Sequence, residues 1–212
     1  MIKIHETLHN YSLQIYLRHT IPPLDLTGGI MTQYLGIIGG SGLYAMKDFE
    51  LKEELNIQTP FGDTSGPLMV GLLNQVPVIF LARHGAGHTI NPSEINFRAN
   101  IWAMKKAGVQ AILSVSAVGS LKEEIEPGHM VVIDQFFDRT KARPSTFFEQ
   151  GIVAHVGFAH PISNYLRQIL IESCKDVGVT CHEKGTYVCM EGPQFSTTVS
   201  YTHLRAHETS ID

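Results

Sequence analysis

The chain has 212 residues, of which 43% are hydrophobic and 17% are charged, a composition typical of a single domain with an apolar core. Lys and Arg number 16 against 20 Asp and Glu, giving a net charge of −4 without a basic stripe, so binding to nucleic acid or to an anionic membrane is not expected. No segment approaches the roughly 18 consecutive apolar residues of a membrane-spanning helix, and no secretory signal is recognisable. The three cysteines form no CxxC pair, so we predict free thiols and a cytoplasmic location.

The first thirty residues show no sustained helical or strand period, and a Pro-Pro pair and a Gly-Gly pair interrupt any regular element there. A second methionine, Met31, directly precedes the first clear strand. Residues 31–197 are therefore predicted to form the domain. Residues 1–30 are interpreted either as translated upstream sequence that is not native or as a flexible extension.

From Met31 onward, predicted strands and helices alternate. Tyr34–Ile38 is a short apolar strand, and "GPLMVGLLNQVPVIFLAR" predicts two strands joined by a hairpin at Asn74-Gln75. The segment that follows predicts a helix with Ser93 as its N-cap, and this helix ends at a glycine, Gly108.

The second half of the chain continues the alternation. "QAILSV" and "HMVVIDQFF" are each predicted to be a buried strand, and "GTYVCM" is a further strand. Between them, a helix is predicted from its N-cap Ser163 to Gly178. Its apolar positions share one face: Leu166, Ile169, Leu170, Cys174 and Val177. This order predicts a layered α/β domain whose central sheet is mixed but largely parallel and is flanked by helices.

Three loops that follow predicted strands offer groups suited to phosphate, and sheets of this kind bind ligands at the carboxyl ends of their strands. "GGSG", residues 39–42, offers converging backbone N–H groups and the Ser41 hydroxyl. "ARHGAGH" offers the planar guanidinium of Arg83 and the imidazole of His84, and "SVSAVGS" offers the Ser116 hydroxyl. Alone, the first loop is equally compatible with a plain tight turn and the third with packing of small residues. A surface Arg-His pair is the disfavoured alternative for the second, and together the three loops predict a phosphate site that needs no metal. His84 and His88 have metal-binding spacing only on a helix, which two intervening glycines disfavour.

The fourth loop, "MEGPQFST", places Met190 and Phe195 on either side of a Gly-Pro turn and so offers apolar surface for a flat ring or a sugar face. Glu191 is interpreted as a ligand for sugar hydroxyls or as a cap for neighbouring backbone N–H groups, and the second interpretation is slightly favoured.

These segments resemble the trimeric purine nucleoside phosphorylases, and within that family the branch that cleaves methylthioadenosine. The resemblance spans about residues 31–197, and as an ordered set its motifs are highly specific. The motifs are "GIIGGSGLY", "TPFG", "LARHGAGHTINPSEINFRANIWA", "SAVGSL", "PGHMVVIDQFFDRT" and "GTYVCMEGPQFST".

The resemblance implies a nucleoside phosphorylase-like fold and a set of site residues. The implied phosphate ligands are Ser41, Arg83, His84, Ser116 and Ala117. Phe195 is implied to stack near the nucleoside, Ser196 to influence the choice of base and Met190 to line the pocket. His155 is implied to approach the 5′-substituent across the subunit interface of a homotrimer, and it is preferred over the nearby His160.

The implied reaction is phosphorolysis of 5′-methylthioadenosine to adenine and 5-methylthioribose 1-phosphate, a step of purine and methionine salvage. Inorganic phosphate is a co-substrate, and no cofactor or metal is implied. A nucleosidase that uses water remains an alternative, although the Arg83-His84 pair favours phosphate. A phosphorylase for purine nucleosides or methylthioinosine and a non-catalytic fragment also remain open.

The chain departs from the family after Thr197. There the family begins a helix with Arg-Ala-Glu-Ser and later supplies an Asn-Met-Thr segment and an Asp pair that assists the leaving base. Here Thr198 takes the place of the arginine, and neither feature follows. We therefore expect residues 198–212 to be a non-native tail without regular structure, and the C-terminal part of the domain to be missing. The catalytic acid is accordingly unknown, and we expect this chain to be inactive although its full-length parent is active.

Overall fold

The computed structural model describes residues 34–40 and 48–208, and its main feature is a five-stranded mixed sheet. The strand order is β2-β3-β4-β1-β5; β1 runs parallel to β4 and β5, whereas β3 runs antiparallel to β2 and β4. The strands are β1 (Tyr34–Gly39), β2 (Phe49–Leu55), β3 (Leu68–Leu73), β4 (Val76–Ala82) and β5 (Val109–Val115). The predicted α/β class with a mixed sheet is confirmed.

Four shorter strands form two parallel pairs, β6 with β8 and β7 with β9. They are β6 (Met130–Val131), β7 (Gln135–Asp138), β8 (Cys181–His182) and β9 (Thr186–Cys189). The helices of the described part are α1 (Phe97–Lys106), α2 (Asn164–Asp176) and α3 (Thr198–Glu208). Within this part of the chain, no helix is both long and apolar enough to cross a membrane.

The hairpin predicted at Asn74-Gln75 is confirmed. Strands β3 and β4 pair from Leu73↔Val76 inward, and both turn residues have positive φ, at 49° and 69°. This conformation matches the twist of a two-residue hairpin. The edge strand β2, in contrast, was not predicted, because its sequence "FELKEEL" is mostly charged and mostly exposed and carries no apolar run.

The predicted N-cap of α1 was wrong by three residues. The helix begins at Phe97, and the Asn96 side chain accepts the N–H of Ala99 at 3.1 Å. Ser93 lies instead in a turn, where its N–H donates to the Asn91 side chain at 3.1 Å. The helix then ends before Gly108 as predicted.

The segment "HMVVIDQFF" was predicted as one buried strand, but it forms the two short strands β6 and β7. The interruption lies at Asp134, whose N–H donates to the Gly185 carbonyl at 3.2 Å and whose carboxylate accepts the Gly185 N–H at 3.1 Å. The segment "QAILSV" forms a strand as predicted, but the prediction that it is buried was wrong: its residues are half-buried or exposed, because β5 lies at the edge of the sheet.

Helix α2 follows its prediction closely. The Ser163 side chain caps it by accepting the Leu166 N–H, and Gly178 after its end has a φ of 70°. Leu166, Ile169 and Leu170 pack against a buried cluster of β1, β3 and β4 residues. The predicted apolar face therefore covers the sheet.

The segment after Thr197 was predicted to lack regular structure, and this was wrong for residues 198–208, which form α3. The start of the helix is stabilised by reciprocal capping: the Ser200 N–H donates to Thr197 Oγ1 at 3.2 Å, and the Thr197 N–H donates to Ser200 Oγ at 2.9 Å. Leu204 is 5% exposed and is the buried side chain of this helix in the described part. Local capping and one apolar anchor thus suffice for a helix that has no sustained apolar period.

The core lies around β4, whose central residues Val78–Leu81 are completely buried. Strand β4 lies between β3 and β1 in the sheet, and its side chains alternate between two clusters: Ile79 and Leu81 pack in the cluster that includes α1, and Val78 and Phe80 pack in the cluster next to α2, so both faces are covered. This packing fixes the position of the loop that follows Ala82, and this loop carries the first group of predicted site residues.

Candidate functional site

The carboxyl ends of three parallel strands meet at one edge of the sheet. Gly39 of β1 is in register with Ala82 of β4 and with Val115 of β5. The Arg83 N–H continues this pairing by donating to the Gly39 carbonyl at 3.0 Å. The loops predicted to bind phosphate therefore begin side by side, as the rule for such sheets requires.

Arg83 is the centre of this edge. Its Nη1 donates to Ser116 Oγ at 2.6 Å, and its Nη2 lies 3.8 Å from the point that a Cβ on Gly40 would occupy. Ser116 and the adjacent Ala117 are exposed. Three of the predicted groups, the guanidinium, the Ser116 hydroxyl and the first glycine loop, thus lie together. Ser41, the other residue predicted in that glycine loop, lies outside the described residues.

His84 is 7% exposed and is hydrogen-bonded through both ring nitrogens. Nδ1 lies 2.9 Å from the Ile90 carbonyl, and Nε2 lies 3.2 Å from Nε of Arg83. A carbonyl only accepts, so Nδ1 carries the proton and Nε2 accepts from Arg83. In this arrangement His84 orients the guanidinium, and its imidazole ring stacks on that of His88 at 4.3 Å.

Burial lowers the pKa of His84 below 6.5; the hydrogen bond to Ile90 opposes this, and the charges of Arg83 and His88 lower the pKa further. The unfolded chain therefore binds this proton more readily than the folded chain does. As pH falls through about 6.5, the free energy of unfolding should decrease until the folded pKa is passed.

Replacement His84→Gln removes this titration. We expect the free energy of unfolding of the native chain to fall more steeply between about pH 7 and pH 5 than that of the variant. Urea titrations across this range measure the difference. Parallel pH dependences for the two proteins would contradict the assignment of His84 as a neutral, buried group.

The stretch Met190–Ser196, which we call the lip, follows β9 and forms a second group of predicted residues. Ser196 Oγ lies 3.4 Å from the sulfur of Met190, and the Phe195 ring is 95% exposed. The lip and the start of α3 enclose a shallow concavity of about 170 Å³. An exposed aromatic ring beside such a concavity offers a stacking surface to a flat ligand.

Glu191 and His155 are two further residues that the sequence places at the candidate site. The Glu191 carboxylate accepts the backbone N–H groups of Lys141 and Ala142 at 2.5 and 3.2 Å, which favours the capping interpretation over a sugar ligand. His155 lies exposed in the segment 149–160, and the structure does not place it among the hydrogen-bonded groups described above. Among residues 34–40 and 48–208, no group of three or more His, Cys, Asp or Glu side chains could hold a metal ion.

The family model described as "Phosphorylase superfamily" matches residues 34–210. The chain belongs to this superfamily. The match includes every site residue predicted above, and it confirms the resemblance seen in the motifs.

Curated relatives and solved structures agree with this membership. The chain is 56% identical to the S-methyl-5′-thioadenosine phosphorylase of Chloroflexus aurantiacus over 84% of this chain and 62% of the relative. It is 49% identical to the enzyme of the same name from Geobacter sulfurreducens, over 85% of this chain and 64% of that relative. The chain thus spans less than two thirds of the length of these relatives.

Two solved structures share the fold. Methylthioadenosine phosphorylase from Schistosoma mansoni in complex with adenine has a TM-score of 0.77 at 36% identity, over 82% of this chain and 70% of that one. Methylthioadenosine phosphorylase from an antarctic soil metagenomic library has a TM-score of 0.79 at 48% identity, over 84% of this chain and 63% of that one.

Sequence reasoning missed two residues that lie near these loops. Tyr187 lies on β9, three residues before Met190; burial raises the pKa of its phenol, while the charges of Arg83 and Arg143 lower it. Arg143 contacts the lip directly. The position of Tyr187 in a strand that leads to a predicted site was a signal for it, whereas Arg143 lies in a loop whose sequence gives no such indication.

Proposed function

We propose that the protein carrying these residues catalyses the phosphorolysis of 5′-methylthioadenosine to adenine and 5-methylthioribose 1-phosphate. The observation that carries the proposal is the Arg83–Ser116 pair at the carboxyl edge of the sheet, in a chain whose matched relatives are named S-methyl-5′-thioadenosine phosphorylase. A guanidinium next to a hydroxyl and a glycine loop suits a phosphate dianion.

Phosphate is the proposed co-substrate, and no cofactor takes part. Its proposed ligands are Ser41, Arg83, Ser116 and Ala117; the implied ligand His84 has both ring nitrogens engaged by the protein, so we propose that it acts through Arg83 instead. With Nε2 accepting from Arg83, the His84 ring supports the site by orienting the guanidinium. The proposed setting is the cytoplasm, in keeping with the free thiols of all three cysteines.

The proposed chemistry begins with loosening of the glycosidic bond, so that positive charge develops on the ribosyl carbon. Bound phosphate stabilises this charge and is aligned to attack the same carbon. Phe195 stacks against the nucleoside, Met190 lines the pocket and Ser196 influences the base. The acid that assists the leaving base is not assigned to a residue.

The proposed assembly is a homotrimer in which His155 approaches the 5′-substituent of a substrate bound to the neighbouring subunit. The segment around His155 supports this, since it exposes large apolar side chains that an isolated chain would leave in water. They are Phe147, Phe148, Ile152, Val153, Val156 and Phe158, each more than 40% exposed. Sedimentation equilibrium tests the assembly, and a monomer at micromolar concentration would refute it.

The activity is tested by measuring adenine release from 5′-methylthioadenosine with and without phosphate. Phosphate-dependent release supports the proposal, and equal release without phosphate indicates a nucleosidase instead. Parallel assays with inosine and methylthioinosine distinguish a phosphorylase with another base preference. Absence of turnover together with absence of phosphate binding in this chain would show a non-catalytic fragment, and the same absence in a protein that spans the full length of the relatives would overturn the proposal.

A further inference from the structure

The loop after β7 holds the lip through one arginine. Nη2 of Arg143 donates to the Glu191 carbonyl at 2.7 Å and to the Met190 carbonyl at 3.3 Å, while its Nε donates to Glu191 Oε1 at 3.3 Å. The guanidinium carbon also lies 5.3 Å from the centre of the Phe97 ring, at the first residue of α1. The Arg143 side chain is only 13% exposed. This planar fork therefore fixes the backbone at the start of the lip against a helix terminus.

The Glu191 carboxylate completes the connection. Its Oε2 accepts the N–H groups of Lys141 and Ala142, and its Oε1 accepts from Ser93 Oγ at 3.1 Å as well as from Arg143. A carboxylate has about four acceptor positions, so these four donors use its capacity. The hydrogen bond from Lys141 is the main cause that keeps the pKa of Glu191 below its ordinary value. The Glu191 carboxylate therefore accepts hydrogen bonds from the protein itself and has no free acceptor position for sugar hydroxyls.

Three separate segments meet at this carboxylate. Ser93 comes from the turn before α1, Lys141–Arg143 from the loop after β7, and Glu191 from the end of β9. A Cβ on Gly192 would lie 3.7 Å from Pro92, so the lip backbone also lies close to the turn before α1. The position of the lip is thus set by contacts between segments far apart in the chain.

We propose that Arg143 and Glu191 are positioning residues that hold the lip where it receives the nucleoside, and that neither is a substrate ligand. That the lip binds a nucleoside rests on the proposed function; that this pair fixes the lip rests on the contacts above. The Arg83 site has its own hydrogen bonds to Ser116 and His84. Loss of the Arg143–Glu191 pair should therefore affect nucleoside binding selectively and leave anion binding at Arg83 intact.

The variants Glu191→Gln and Arg143→Lys test the proposal in the full chain. The glutamine keeps the shape but turns an amide N–H₂ toward donors, and the lysine keeps the charge but loses the fork. Calorimetry with 5′-methylthioadenosine should show about tenfold weaker binding for either variant. Binding of sulfate, a phosphate mimic, should change by less than about twofold. Glu183→Gln, which breaks an exposed ion pair with Lys175, is the matched control and should match the native chain in both measurements.

Hydrogen exchange of the amides of residues 190–196 provides a readout that needs no ligand, and both variants should exchange about tenfold faster there than the native chain. The double variant should be little worse than either single variant, since both changes break the same network. Unchanged exchange in the lip would overturn the proposal, as would equal losses of nucleoside and sulfate binding. If the native chain binds no nucleoside but the variants loosen the lip, the proposed function fails while the positioning role stands.

Discussion

Replacing Arg83 with glutamine should weaken the binding of inorganic phosphate by about a hundredfold, because two charge-assisted hydrogen bonds to a phosphate dianion contribute about 3 kcal/mol together. The glutamine also lacks the N–H groups that donate to Ser116 and His84, so these two side chains lose their shared hydrogen-bond partner and the site loses its positive charge. Calorimetric titration with phosphate measures the loss. Turnover, where present, should need a correspondingly higher phosphate concentration for half-saturation.

The matched control is Arg205→Gln in α3. Arg205 makes an exposed ion pair with Glu123 at 3.3 Å, so the same chemical change there should leave phosphate affinity within about twofold. Equal weakening by both substitutions would indicate a general effect of net charge and would refute a specific phosphate site at Arg83. Unchanged affinity in Arg83→Gln would refute it as well.

The second large effect concerns stability: Phe80→Ala should reduce the free energy of unfolding by about 3–5 kcal/mol. Phe80 is completely buried in the middle of β4, in a cluster with Leu35, Ile37, Leu73 and Val78. Its removal leaves a cavity between the sheet and α2, and little collapse is possible there because β4 is paired with strands on both sides. Since a domain of this size is stable by only about 5–15 kcal/mol, the variant should be close to unfolding at 37 °C.

Phe195→Ala is the control for this prediction, because it deletes the same ring from a position that is 95% exposed. Urea denaturation should give nearly the same free energy of unfolding for Phe195→Ala as for the native chain. A loss below about 1.5 kcal/mol in Phe80→Ala, or equal losses in the two variants, would contradict the assignment of β4 as the centre of the core.

Several elements were predictable from the sequence because their causes are local. Consecutive apolar residues predicted β1, β3 and β4, and the two polar residues between β3 and β4 predicted the hairpin, which depends only on neighbouring backbone angles. The cap at Ser163 and the glycine at Gly178 bounded α2 for the same reason. The predicted meeting of Arg83 and Ser116 followed from a general rule of sheets: parallel neighbours end at the same edge.

Other elements were not predictable because their causes lie far away in the chain. Asn96 replaced Ser93 as a cap, and the hydroxyl of Ser93 is instead bound to Glu191, 98 residues further on. The division of one predicted strand into β6 and β7 depends on the pairing of Asp134 with Gly185, a residue more than 50 positions away. No short sequence pattern reports such contacts.

The sequence by itself determined which chemical groups this protein has and the order in which they follow its strands, and this was sufficient for the superfamily and for the phosphate-type loops. The tertiary structure decided what each group does. In the fold, the neutral ring of His84 orients the Arg83 guanidinium. The Glu191 carboxylate accepts hydrogen bonds from backbone N–H groups and from Arg143, and not from a sugar. The physical reason is that the role of a polar side chain is set by the donors and acceptors that surround it, and folding brings these together from distant segments.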